Sequence, residues 1–196
     1  MKLSQDNEEL FHGIGPGDVA IDCGANIGVV TQKLADLGAF VFAFEPNPSA
    51  FAYLSNRFAA YPNVFCINKG VWDRNSSMRL YHFVEAHLDP LRYSYASSIF
   101  DTNPIVNTGN YTDIEVVDLC EIVEALDQRI KFLKVDIEGA EFELIEKLIT
   151  SNMYRYIDLT LVETHEGLVQ NPVEKMARLH SLMQERNITN INLNWN

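Results

Sequence analysis

Three short apolar runs, "DVAIDCG" (18–24), "AFVFAFE" (39–45) and "VFCIN" (64–68), are separated by two stretches with helical spacing. No other feature restricts the fold as strongly. Residues 26–37 carry Ile27, Val30, Leu34 and Leu37 at intervals of three and four. Pro48 then opens a second stretch with Phe51, Leu54 and Phe58 on one face. The runs are too continuously apolar to leave one face in water, and parallel strands need a long crossover that a helix supplies. Strand, helix, strand, helix, strand predicts an α/β fold: a mostly parallel twisted sheet, right-handed crossovers and helices on both faces.

The pattern breaks after the third run. "MRLYHF" (78–83) reads as an extra strand, and residues 84–113 show no sustained period. They are read as an irregular insertion able to serve as a lid or acceptor loop, with Tyr93, Tyr95, Phe100 and Tyr111 favouring an ordered role. Regularity returns with "DIEVV" (113–117), after which Asp118 and Glu121 have the spacing of a capping box. "IKFLKVD" (130–136) is the fourth core strand, and Phe142, Ile145 and Leu148 mark the helix after it. "YIDLTLVE" (156–163) is the fifth. Val173, Met176, Leu179, Leu182 and Met183 form the buried face of a further helix, and "ITNINLNWN" alternates as an edge strand would. A chain of 196 residues suits one domain with a substantial core, so residues 1–196 are read as a single unit.

Charge narrows the partners. Fifteen Lys and Arg against 27 Asp and Glu leave a net charge of −12, which repels phosphate backbones and anionic lipid. A nucleic acid or membrane partner is not expected. "MKLSQDNEEL" lacks the apolar centre of a leader, and Cys23, Cys66 and Cys120 lie far apart in apolar surroundings. Reduced buried thiols in a cytoplasmic protein are the expectation.

"DCGANIG" (22–28) joins the first strand to the first helix, where doubly wound sheets hold nucleotide-like ligands. Gly24 can take positive φ and admit a ligand to the backbone, and Gly28 allows close packing. The dinucleotide fingerprint needs a third glycine where Asn26 stands, and Asp22 would repel a pyrophosphate. A nicotinamide-dependent oxidoreductase therefore fits poorly. S-adenosylmethionine, with its ammonium and sulfonium, fits better. Glu45 ends the second strand, placed to accept the ribose hydroxyls.

"VAIDCGANIGVVT", "FAFEPNPSAFAYL" and "FLKVDIEGAEFELI", in that order, closely resemble the FkbM-type methyltransferases. The resemblance runs from about Gly15 to Glu166 and includes a serine pair, Ser97 and Ser98. It implies a Rossmann-like class I methyltransferase fold and transfer from S-adenosylmethionine to a hydroxyl of a sugar, glycan or small metabolite. By that likeness Asp22, Gly24, Ala25, Asn26, Gly28 and Glu45 contact the cofactor, with Asn68 and Ser98 as further candidates. Only one clear strand follows the last helix, where such enzymes usually carry an antiparallel pair.

With strand order 3-2-1-4-5, the first and fourth strands are neighbours and "KVDIEGAE" (134–141) borders the glycine loop. Its carboxylates would then line a cofactor cleft and find a cationic ligand there. Asp136 is the leading candidate for catalysis or cofactor orientation, Glu138 could face the acceptor, and Glu141 is explained by the helix dipole. Removing the proton of an alcohol needs a base, for which Asp136, Glu138 and His165 are the candidates. No tight His/Cys cluster demands a metal, so none is expected. The rival reading is a module of the same fold that binds S-adenosylmethionine or S-adenosylhomocysteine without turnover.

Overall fold

The computed structural model describes residues 9–195; the sequence readings at residues 1–8 and at 196 lie outside them. In chain order the first elements are β1 (Val19–Cys23), α1 (Val29–Asp36), β2 (Phe40–Phe44), α2 (Pro48–Arg57), β3 (Val64–Ile67), β4 (Gly70–Trp72) and β5 (Ser76–Phe83). Then come β6 (Val106–Asp118), α3 (Leu119–Leu126), β7 (Ile130–Val135), α4 (Glu141–Thr150), β8 (Ile157–Val162), α5 (Pro172–Glu185) and β9 (Ile191–Asn192).

Six strands form one sheet in the order β3-β2-β1-β7-β8-β9, and every neighbouring pair is parallel. The five core runs therefore take the 3-2-1-4-5 order. The terminal strand shrinks to two residues at the edge, pairing parallel with β8.

Period-2 alternation sorts the sheet's two faces. Val19, Ile21, Cys23, Leu133 and Val135 pack in one cluster with residues of α3, α4 and α5. Ala20, Val41, Phe132 and Leu161 pack on the other face with Val30 and Leu34 of α1, and Trp195 closes that cluster. Ala43 meets Leu54 and Phe58 at α2 on the same side. The alternation has a chemical consequence: Asp22, Lys134 and Asp136 fall on the α1 face, at the strand ends where α1 begins.

A second, three-stranded sheet in the order β4-β6-β5 was not expected in full. Residues 106–113, read as part of the irregular stretch, belong to β6 and run antiparallel to β5. Much of that half of β6 is exposed, so its backbone bonds leave no apolar period to read. The irregular stretch contracts to residues 84–105, with a 3-10 turn at Ser94–Ala96.

Three local expectations also shift. Helix α1 starts at Val29 rather than Asn26, because Asn26 (φ 48) and Gly28 (φ 81) are left-handed. Val173 is 78% exposed in the first turn of α5, while Leu179 and Leu182 are buried. Asp118 caps α3 by accepting from the Cys120 amide, but its own amide donates to Asn75 Oδ1 rather than to Glu121. Glu121 instead accepts from Asn75 Nδ2, so Asn75 bridges the two acids.

Candidate active site

A cavity of about 380 Å³ opens at the carboxyl ends of β1, β2 and β7. Its floor is the β1–α1 loop from Gly24 to Ile27, one wall carries Glu45 to Asn47, and another carries Asp136 to Glu138. The second sheet contributes Leu80, Ile114 and Val116, and the irregular segment contributes Arg92, Ser94, Tyr95 and Ser97. An apolar wall opposite a few convergent polar groups is the usual make-up of a small-ligand site.

The loop is shaped by two glycines for different reasons. A Cβ on Gly24 (φ +77) would stand 1.8 Å from the Asp136 carbonyl oxygen, so β1 and β7 cross too closely for any side chain. A Cβ on Gly28 would stand 2.4 Å from the Phe58 ring, so this glycine seats α1 against the end of α2 and does not line the cavity. Glu45 ties loop to wall: its carboxylate accepts from the Asn26 amide at 2.8 Å and the Asn47 amide at 2.7 Å. Burial pushes its pKa up to about 7 despite those two donors.

Asp22 lies beneath the loop, fully buried, and does not line the cavity. One oxygen accepts from Thr31 Oγ1 at 2.6 Å, and the other is 3.4 Å from Lys134 Nζ, its direct neighbour across the β1–β7 pairing. The same ammonium is 3.0 Å from Asp136 Oδ2 and donates to the Gly24 carbonyl at 2.6 Å. Here is the positive partner that the acidic strand end requires. It is a side chain of the strand itself rather than a cationic ligand alone. Burial works against the Lys134 charge, but Asp136 and Asp22 more than offset it and raise its pKa.

The turn after β7 is built around Glu141. Its buried carboxylate accepts from the Ile137 and Gly139 amides, both at 2.9 Å, and from His165 Nδ1 at 2.9 Å. Between those two amides Glu138 holds φ 55, a left-handed conformation that costs a non-glycine residue energy and persists because its flanks are bonded. Burial first, then Asp136, Glu141 and Glu163, push its pKa up to about 8 against the opposing pull of His165. His165 is itself raised to about 9: burial opposes the cation, and Glu141, Glu138 and Asp136 overrule it.

Of the expected residues, Gly24, Ala25, Asn26, Glu45, Asp136 and Glu138 converge on the cavity. His165 stands behind the acids, with Nε2 3.7 Å from Glu138 and 3.9 Å from Asp136. Asn68 donates to the Glu45 carbonyl and so steadies the wall without lining it. Ser98 does not line it either; its hydroxyl donates to the Glu138 carbonyl at 3.0 Å. Ser94 and Ser97 accept from Asn26 Nδ2 and Asn47 Nδ2, so three serines moor the irregular segment to all three cavity loops. The residues missed are Lys134, Asn47 and Ser94. Lys134 carries a legible signal, a cation two positions before Asp136 on the same face of a buried strand.

Asp136, Glu141 and His165 offer ligand atoms within 4.8 Å of one another. Both Glu141 oxygens are already engaged by amides and the imidazole, so the trio fits a hydrogen-bonded cluster better than a metal centre.

The sequence profile of the methyltransferase FkbM domain matches residues 22–189. The chain belongs to this family. Among similar proteins, hexuronic acid methyltransferase AglP of Haloferax volcanii is 28% identical over 187 residues, 89% of this chain and 66% of that protein. The FkbM chain thus spans just under two thirds of that relative's length. Ribosomal RNA small subunit methyltransferase A of Thermotoga petrophila is 42% identical over 52 residues, 26% of this chain and 20% of that protein. Among solved structures, precorrin 8w decarboxylase from Methanobacterium thermoautotrophicum overlays with TM-score 0.47 and 13% identity, covering 96% of this chain and 75% of that one. Among the described residues of the FkbM chain, no helix is long and apolar enough to cross a membrane.

Proposed function

We propose that this FkbM methyltransferase domain is an S-adenosylmethionine-dependent O-methyltransferase acting on a hydroxyl of a sugar, glycan or small metabolite. The observation that carries the reading is one cavity bounded by the glycine loop and Glu45 on one side and by Asp136 and Glu138 on the other. The donor set fits the cofactor. Three carboxylates, those of Glu45, Asp136 and Glu138, line the cavity, and the Lys134 charge is taken up by Asp22 and Asp136, so the site suits a ligand with ammonium and sulfonium groups better than a pyrophosphate. The hexuronic acid relative supports a sugar acceptor.

S-adenosylmethionine, when bound, supplies a methyl group on a positively charged sulfur. The protein's part is alignment and proton removal. Glu45, with Asn26 and Asn47 fixed to it, would hold the adenosine side, and Asp136, pinned by Lys134, would orient the cofactor or acceptor. Glu138 reaches the cavity and, once ionised, is a stronger base than an ordinary carboxylate, as an alcohol acceptor needs. His165 sets the charge of that carboxylate from behind. The moored segment 84–105 would act as the lid or acceptor loop.

Parallel calorimetric titrations with S-adenosylmethionine, S-adenosylhomocysteine and NAD test the cofactor, and transfer of labelled methyl to a panel of glycosides tests turnover. The expected result is binding of the first two, no binding of NAD and labelled product. Asp136→Asn should lower transfer more than binding. Binding of both adenosyl ligands with no transfer to any acceptor would favour the non-catalytic module, and binding of NAD alone would overturn the reading.

A further inference from the structure

Two cationic side chains line the cavity among the described residues, Lys134 and Arg92. Lys134 is buried and committed to two carboxylates. Arg92 is exposed, forms no ion pair among the described residues, and belongs to the irregular segment that lines one side of the cavity. In a chain of net charge −12, a cation left without a carboxylate beside a cavity is an unusual economy.

Its position is built. The Arg92 amide donates to Asp89 Oδ1 at 3.0 Å, which fixes the turn. Its guanidinium lies 5.5 Å from the centre of the Tyr93 ring, and Tyr93 stacks on Phe83 at 5.1 Å and 17°. A guanidinium seated on an aromatic stack loses little freedom when its N–H groups pair with a planar anion. Tyr95, three residues on, also lines the cavity and is 59% exposed, offering an apolar ring face beside the cation.

We infer that Arg92 selects an acceptor carrying a carboxylate, a sugar acid whose ring lies against Tyr95 and whose carboxylate pairs with the guanidinium. The inference rests on the methyltransferase reading above. A carboxylate matches the planar guanidinium in a bidentate pair. A phosphate would bring a second negative charge towards Asp136 and Glu138 on the facing wall. The cofactor also has a carboxylate, so the experiment must separate the two sources.

Protein loaded with S-adenosylhomocysteine is titrated with p-nitrophenyl β-D-glucuronide and with p-nitrophenyl β-D-glucoside, which differ only at C6, a carboxylate in the first and a hydroxymethyl group in the second. The wild type should prefer the glucuronide by roughly tenfold, as one charge-assisted pair allows. Arg92→Gln should bring the two sugars to within about twofold of each other, while the S-adenosylhomocysteine affinities of the two proteins agree. Equal affinities in the wild type, no binding of either sugar, or a preference that survives Arg92→Gln would overturn the assignment. A loss of S-adenosylhomocysteine affinity in Arg92→Gln with the sugar preference intact would also overturn it, giving Arg92 to the cofactor. Failure of the wild type to bind S-adenosylhomocysteine would remove the methyltransferase reading itself, and this one with it.

Discussion

The ammonium of Lys134 lies 3.0 Å from the carboxylate of Asp136, two residues further along the same sheet face, and 3.4 Å from Asp22 on the neighbouring strand. Lys134 is almost fully buried and Asp22 completely so. Replacing Lys134 with Met leaves the buried Asp22 and the half-buried Asp136 without their cation and should cost roughly 3–5 kcal/mol of stability in urea unfolding. Adding Asp22→Asn to that variant should recover part of the loss. A Lys134→Met protein as stable as the wild type would remove the ion pair from the account.

Glu141 carries a second structural charge. Both oxygens accept backbone amides, and Gln at this position would turn its NH₂ towards one of those N–H groups. Glu141→Gln should therefore lose about 2–3 kcal/mol, read as a lower urea midpoint. An unchanged midpoint would mean that the turn at 137–139 holds without it.

Gly24 is the tightest backbone crossing in the cavity loops. Gly24→Ala puts a methyl 1.8 Å from the Asp136 carbonyl at a φ of +77. The strands must separate where the cofactor is proposed to lie, so the variant should be destabilised by at least about 2 kcal/mol and lose S-adenosylhomocysteine binding. Wild-type affinity in a calorimetric titration would contradict this.

Glu138 makes the activity depend on pH. Its pKa is raised to about 8, and a base works only when ionised, so kcat/KM should fall as pH drops below about 8. The pH profile of Glu138→Gln should lose that limb along with most of the rate. A wild-type profile that is flat between about pH 7 and 9, roughly a unit either side of the midpoint, would rule Glu138 out as the base.

His165 makes stability depend on pH over a neighbouring window. Its folded pKa is raised from 6.5 to about 9, so its contribution is complete below pH 6.5 and lost as pH rises through 9. Urea midpoints should decline across that interval, and more steeply in the wild type than in His165→Gln. Parallel declines would show that the imidazole is not protonated by its acidic neighbours.

The strand–helix alternation was enough to give the five core strands and a parallel sheet, because burial imposes a period that survives in the sequence; their 3-2-1-4-5 order was a condition borrowed from doubly wound folds, and the observed pairing meets it. Glu45, Asp136 and Glu138 were legible for the same reason: each is an acid at the end of an apolar run, where only a cleft makes it tolerable. The β5–β6 sheet was only half legible, since a ribbon with exposed faces is held by backbone bonds that leave no side-chain pattern. The partner of the acids was settled by tertiary structure. Asp22 and Lys134 are 112 positions apart in the chain, and the parallel pairing of β1 with β7 sets them side by side. That pairing makes Asp22 a buried counter-ion beneath the loop, and it leaves the cavity to Glu45, Asp136 and Glu138. The mooring of residues 84–105 by Ser94, Ser97 and Ser98 is likewise a matter of distance in space, because a hydroxyl has no preferred partner until the fold supplies one.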